Sequence, residues 1–181
     1  TFIHPYNDYH VIAGHASMVL EMAGQSMVPP LDFIISPVGG GGLISGIALA
    51  VHYLFPQTVV VGAEPAGAAD AALSLKTGKI QPSVNPLTIA DGLLTSLGDK
   101  TFPIIKQYVR EIITVPEEEI IASMKLIWER MKIIVEPSSS IALAVVLREK
   151  EKFRNKKIGI VLSGGNVDLP SAINAMYKGK M

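Results

Sequence analysis

The decapeptide Pro37–Gly46, PVGGGGLISG, sets four consecutive glycines between an apolar run, Phe33-Ile34-Ile35, and an apolar stretch of helical character, Leu43 to Leu54. A strand that ends in glycines and passes straight into a helix presents unobstructed backbone N–H groups at the positive end of the helix dipole, which suits a phosphate. A tight turn needing positive φ at one or two positions would also select glycine. Four in succession exceed that need, so Gly39, Gly40, Gly41 and Gly42 read as a cofactor cradle. Two further segments close apolar β-type runs: Glu64-Pro65 after Thr58–Ala63, and Ser163-Gly164-Gly165-Asn166 after Ile158–Leu162.

Other chemistries are poorly supplied. The 181 residues contain no cysteine, which removes thiolate catalysis, disulfides and Cys-based metal sites and is compatible with a reducing cytosol. A cytoplasmic location is therefore the expectation. The four histidines, His4, His10, His15 and His52, lack the spacing of a metal cluster. Lysine plus arginine equal aspartate plus glutamate at 16 each, so no net field recruits nucleic acid or an anionic membrane. No apolar stretch reaches the roughly 18 to 20 residues that span a bilayer. With 49% apolar and 18% charged residues the composition is that of a well-packed globule.

The elements that must hold these segments alternate. Helical spacing predicts helices over Val11–Gln25, Leu43–Leu54, Ala68–Lys76, Pro116–Lys132, Ser138–Glu151 and Pro170–Tyr177, with a loop at Val28-Pro29-Pro30 and another over Gly78–Pro86. Strands are expected at Phe33–Ser36, Thr58–Ala63, Ile112–Val115 and Ile158–Leu162. This alternation implies an α/β fold of three layers, a mostly parallel sheet flanked by helices. Ligands of such sheets lie beyond the carboxyl ends of the strands, where all three glycine- or acid-bearing segments would gather.

Taken in order, HPYND, VIAG, PVGGGGLISG, AEP, TIADG, WERMK, VEPSSS and IVLSGGNVDL resemble serine racemase and its relatives, the serine and threonine dehydratases. These are pyridoxal-phosphate enzymes of the tryptophan synthase β-chain fold. The resemblance runs over essentially the whole chain. It implies that Gly39, Gly40, Gly41, Gly42 and Leu43 hold the cofactor phosphate through main-chain N–H groups, and that the Ser163 hydroxyl meets the pyridine nitrogen. Gly92 would pack near the cofactor and Glu136 would stand beside its ring; a turn glycine and a helix-entry acid are the plainer readings of these two. Glu64, Ala68 and Asp70 keep the offsets of the family's divalent-cation site, two carboxylates and one carbonyl suited to Mg²⁺ or a similar ion such as Mn²⁺ or Ca²⁺. Acids answering a helix dipole would account for the same carboxylates. Lys132 and Asn166, with Arg130, match positions at a nucleotide site between subunits, where ATP would act as an effector; basic residues closing a helix are the alternative. His15 departs from the glutamine common after the VIAG glycine.

The resemblance also implies what lies elsewhere. The family's Schiff-base lysine and substrate-carboxylate loop precede HPYND, and Lys76, Lys79, Lys100 and Lys106 match neither. Residues 1–181 would thus be the C-terminal part of the cofactor-binding large domain, without the N-terminal small domain, and inactive alone; the chain supplies no catalytic residue of its own. The intact enzyme would convert L-serine or L-threonine to a 2-oxo acid and ammonia, or L-serine to D-serine, as a homodimer. The other reading is a non-catalytic module that binds pyridoxal phosphate, phosphate or a nucleotide.

Overall fold

The computed structural model describes residues 2–25 and 30–177. Part of the expected loop at Val28-Pro29-Pro30 therefore lies outside the described residues. Four strands, β1 (Phe33–Pro37), β2 (Val59–Pro65), β3 (Glu111–Val115) and β4 (Ile158–Ile160), form one sheet. Its order is β3-β2-β1-β4, and every pairing is parallel. Eight α-helices are described: α1 (Tyr9–Gly24), α2 (Gly42–Leu54), α3 (Asp70–Thr77), α4 (Thr101–Tyr108), α5 (Glu117–Met131), α6 (Pro137–Arg148), α7 (Lys150–Phe153) and α8 (Leu169–Tyr177).

The continuous apolar runs of β1 and β2 arise because both faces of the sheet are covered. Alternate residues serve opposite layers. Ile34 and Val60 pack with Ile44, Ile47 and Val51 of α2 and Ile105 of α4, whereas Ile35 and Val61 pack with Ile120 of α5, Ile141 and Val145 of α6 and Phe153 of α7. Burying each such side chain stabilises the fold by about 1.5–3 kcal/mol. A third cluster, Met124, Ile127, Val135 and Ala172, joins α5 to α8.

The connections decide where a ligand can go. From β1 the chain crosses by α2 to β2 and then moves outward to β3, but α5, α6 and α7 carry it back past both to β4 on the far side of β1. The strand order therefore switches between β1 and β4, and the loops leaving their carboxyl ends diverge to opposite layers. That divergence opens the crevice in which α/β sheets bind ligands.

Several boundaries differ from the sequence expectation. α1 starts two residues early because Asp8 caps it, its carboxylate accepting from His10 N at 2.7 Å; such a cap stabilises by about 1 kcal/mol. The expected Ser138–Glu151 helix begins at Pro137 and breaks at Glu149 into α6 and α7. β4 stops at Ile160 rather than Leu162, and among the described residues it has a strand neighbour on one side only. α4 was not expected at all: Pro103 lies in its first turn, where a missing N–H costs nothing. Among the described residues no helix is long and apolar enough to cross a membrane.

α1 lies on α2 so closely that a Cβ at Gly46 would meet the Ile12 carbonyl and, at 2.7 Å, the His15 Cβ. The substitution Gly46→Ala improves helix propensity by about 1 kcal/mol yet should destabilise the protein by about 1–3 kcal/mol through overpacking. A urea midpoint equal to or above that of the parent would contradict this packing argument.

Candidate functional site

The last ladder bond of β1 runs from Val38 N to Ala63 O at 2.9 Å, and the first helical bond of α2 from Ser45 N to Gly41 O at 3.0 Å. Between them, the N–H groups of Gly39, Gly40, Gly41, Gly42 and Leu43, and that of Ile44 after them, find no protein acceptor among the described residues. Gly40, Gly41 and Gly42 are nonetheless buried. Only Gly41 requires a left-handed backbone, at φ 88°; the other three glycines answer close packing instead. Gly39 sits against the Gly92 carbonyl, Gly40 and Gly42 against Tyr6, and Gly41 against Leu97, Thr101 and Ile105. Thr101 Oγ1 donates to Gly40 O at 2.8 Å.

Electrostatics single out the same point. Of the helices entered directly or through a short turn from a strand, α3 has Asp70 in its first turn, α5 has Glu117, Glu118 and Glu119, and α8 is capped by Asp168, which accepts from Ser171 N at 2.9 Å. Hydrogen bonding from the Ser171 hydroxyl and N–H holds the Asp168 carboxyl below its ordinary range. α2 alone begins without a carboxylate or a capping side chain. An N-terminus with free N–H groups and no acidic side chain is the place for an external anion.

The neighbouring loop completes the crevice. Ser163 follows β4 three residues after Ile160, which is paired with Ile35 of β1, so the Ser163 hydroxyl and the glycine quartet leave adjacent strands at the same end of the sheet. Ser163 is exposed there. Gly92 is joined to this wall through its N–H, which donates to Ser138 Oγ at 3.0 Å. Glu136 is the residue before α6; its N–H donates to Gly164 O at 3.1 Å and its Oε2 accepts from Asn166 N at 3.2 Å. The Trp128 indole N–H donates to Val135 O at 2.9 Å and so fixes Glu136 from behind. One chain of contacts thus runs from Gly39 through Gly92 and Ser138 to the Glu136 turn and Gly164.

Glu64 and Asp70 form a separate buried pair on the loop after β2. Both Glu64 oxygens are engaged, Oε1 accepting from Ala71 N at 2.7 Å and Oε2 from Ala72 N at 2.8 Å, so the carboxyl closes the start of α3. Both Asp70 oxygens are buried without a partner, as is Ser83 Oγ. Burial pushes Glu64 up to about 8 despite those two N–H bonds, and the Asp70 charge adds to the rise. Burial raises Asp70 as well, with the nearby Ser83 hydroxyl, close enough to act on the carboxyl though not in hydrogen-bond geometry, working against the rise. No cationic side chain pairs with either among the described residues. Two buried carboxyls without a counter-charge favour protons or a cation, and Ala68, buried between them in sequence, can add its carbonyl. The helix-dipole reading describes Glu64, whose two oxygens take the first N–H groups of α3, whereas Asp70 does not serve that role with its side chain.

Lys132 closes α5 in a left-handed conformation at φ 59°, and Arg130 lies in the last turn. The stretch from Lys132 to Glu136 runs beside Gly164–Asn166, since a Cβ at Gly165 would approach the Ile134 carbonyl at 2.6 Å. Lys132, Arg130 and Asn166 are all exposed on this rim. Of the lysines that match no family position, Lys106 Nζ lies 3.5 Å from Gly78 O and Lys100 Nζ 5.5 Å from the Tyr9 ring. Sequence reasoning missed Tyr6, Asn7, Thr101 and Ser138 as parts of the site; HPYND was visible as a motif but carried no role.

The parallel sheet and the helix start open to an anion define an α/β protein of the class that binds ligands at its strand ends. The profile for "pyridoxal-phosphate dependent enzyme" matches residues 1–164, and the chain belongs to this family. It is 52% identical over 173 residues to the serine racemase of Dictyostelium discoideum, covering 93% of this chain and 53% of the relative. It is 46% identical over 168 residues to the beta-hydroxyaspartate dehydratase of Paracoccus denitrificans (strain Pd 1222), covering 93% and 53%. Among solved structures, the processed form of threonine deaminase isoform 2 from Solanum lycopersicum superposes with a TM-score of 0.91 at 30% identity, covering 100% of this chain and 53% of that one. The chain spans about half the length of the curated relatives it matches.

The carboxyl pair gives a signed pH dependence. Glu64 binds its proton more tightly folded (about 8) than unfolded (near 4.5), so its contribution to stability is complete below about pH 4.5 and fades as pH rises towards 8. In chelator, the melting temperature should therefore fall across that interval, Glu64→Gln should flatten the slope, and Mg²⁺ added near pH 8 should restore stability in the parent but not in Asp70→Asn. A slope unchanged by Glu64→Gln would reject the assignment.

Proposed function

We propose that the protein carrying this chain is a pyridoxal-phosphate-dependent serine/threonine dehydratase or serine racemase, acting on L-serine to give pyruvate and ammonia, D-serine, or both. The observation that carries this reading is the run of five unpartnered N–H groups from Gly39 to Leu43, opening a helix that lacks an acidic start, beside the strand that ends in Ser163. The names of the relatives support the substrate class, since they comprise serine racemase, threonine deaminase and beta-hydroxyaspartate dehydratase. When bound, pyridoxal phosphate supplies an electron sink that weakens the Cα–H bond of an attached amino acid.

The residues of this chain would then divide the work. Gly39, Gly40, Gly41, Gly42 and Leu43 bind the phosphate. Ser163 Oγ orients the pyridine nitrogen and, being a hydroxyl, does not hold it protonated as a carboxylate would, which favours elimination and reprotonation over transamination. Gly92 keeps its side of the crevice open, and Glu136, held by Asn166 N and Gly164 O, presents its carboxylate edge. Mg²⁺ or a similar hard ion on Glu64, Asp70 and the Ala68 carbonyl would order α3 and the turn before it without entering the chemistry. Arg130, Lys132 and Asn166 would form one rim of an ATP site in a homodimer, and a cytoplasmic location completes the reading.

The test uses the full-length protein. Incubated with cofactor and L-serine it should release pyruvate or D-serine, and Ser163→Ala should lower kcat roughly tenfold or more by loosening the ring. A protein that takes up no cofactor and leaves L-serine and L-threonine unchanged would overturn the proposal.

A further inference from the structure

We infer that the segment His4–Asp8 is a latch that holds the anion-binding loop in its open-handed shape, with Tyr6 and Asn7 as positioning residues for the cofactor phosphate. This inference rests on the reading of Gly39–Leu43 given above. Tyr6 covers one side of the loop: its ring stands where a Cβ of Gly40 would be, and its main chain lies where a Cβ of Gly42 would be, 2.9 Å from Cα and 3.0 Å from O. Leu97, Thr101 and Ile105 cover the other side at Gly41, and the Thr101 hydroxyl grips the Gly40 carbonyl at 2.8 Å.

Asn7 ties the two sides together. Its Nδ2 donates to Asp99 Oδ1 at 2.7 Å while its Oδ1 accepts from Lys100 N at 2.9 Å, across more than ninety residues of sequence. The adjacent Gly98 lies so close to the Asn7 side chain that no Cβ fits between them, and Gly98 N donates to Thr101 Oγ1 at 2.9 Å. An amide is the side chain that can donate to a carboxylate and accept from a backbone N–H at once; an aspartate would face Asp99 with like charge. His4 sets the turn, its Nδ1 accepting from Asn7 N at 3.0 Å and its ring lying edge-on to Tyr6 at 4.6 Å. Asp8 then starts α1, which packs along α2 behind the loop.

The physical need is plain. Glycines lose more conformational entropy on ordering than any other residue, and unpartnered N–H groups pull towards any acceptor. A loop of four glycines holds one arrangement of its donors only if its neighbours remove the alternatives, and preorganisation of this kind raises affinity without touching the ligand.

The full-length protein, freed of cofactor and labelled with ¹⁵N-glycine, is titrated with inorganic phosphate while the amide shifts of the quartet are followed. In the parent the shifts should saturate. Asn7→Ala and Tyr6→Ala should each weaken phosphate binding roughly threefold to tenfold, the worth of about one net hydrogen bond or contact, and Tyr6→Phe should restore parental affinity because the ring and not the hydroxyl acts. Asp99→Ala removes one of the two Asn7 bonds at an exposed position and should weaken phosphate about twofold to threefold with an unchanged urea midpoint; it decides the matter if Asn7→Ala does not fold. Parental affinity in Asp99→Ala and Asn7→Ala, or equal loss in Tyr6→Phe and Tyr6→Ala, overturns the latch alone. A parent whose glycine amides ignore phosphate overturns the anion-loop reading and the latch with it.

Discussion

The main-chain donors from Gly39 through Ile44, at the junction of β1 and α2, have no acceptor among the described residues, and much of the surrounding architecture is organised around that fact. A main-chain N–H withdrawn from water without a partner costs about 1–3 kcal/mol, so a row of them persists only where neighbouring groups over-determine the backbone. Tyr6, Gly92, Leu97, Thr101 and Ile105 do so here, drawn from three separate stretches of sequence. The switch in strand order between β1 and β4 then guarantees that nothing from the sheet itself closes over the donors, because the loops leave towards opposite layers.

Charge is distributed around the same end of the sheet in a consistent way. The helices that follow β2, β3 and β4 meet carboxylates at their starts, from Asp70 with Glu64, from Glu117 to Glu119 and from Asp168, and these answer the local helix dipoles. The helix after β1 has none. A net charge of zero over the whole chain therefore conceals an uneven distribution, with acids at three helix starts and none at the fourth. Glu64 shows how such an arrangement can serve twice: its oxygens close α3, while its burial beside Asp70 leaves a pair of carboxyls that only protons or a cation can balance.

Much of this was legible from residue types. Phe33-Ile34-Ile35 and Val59-Val60-Val61 announce strands covered on both faces because a buried parallel strand needs no polar alternation, and PVGGGG announces a strand-to-helix turn open to an anion. α4 was hidden because Thr101–Tyr108 carries a proline and lacks a capping side chain; it exists because Phe102 and Ile105 are buried against α2 and the loop at Gly98 returns a carbonyl to Phe102 N. Tyr6 and Asn7 were equally hidden, for their partners lie more than thirty and ninety residues away.

The amino-acid sequence alone determined the α/β class, the segments that end its strands and the kinship with pyridoxal-phosphate enzymes, since periodicity and motif spacing are local and survive in one dimension. Tertiary structure alone decided that β4 pairs with β1, that Gly40 and Gly42 are glycines because of Tyr6 and not because of φ, and that Asp70 is buried beside Glu64 without a counter-charge among the described residues. Those outcomes depend on close approach and desolvation between distant segments, and neither quantity exists until the chain has packed.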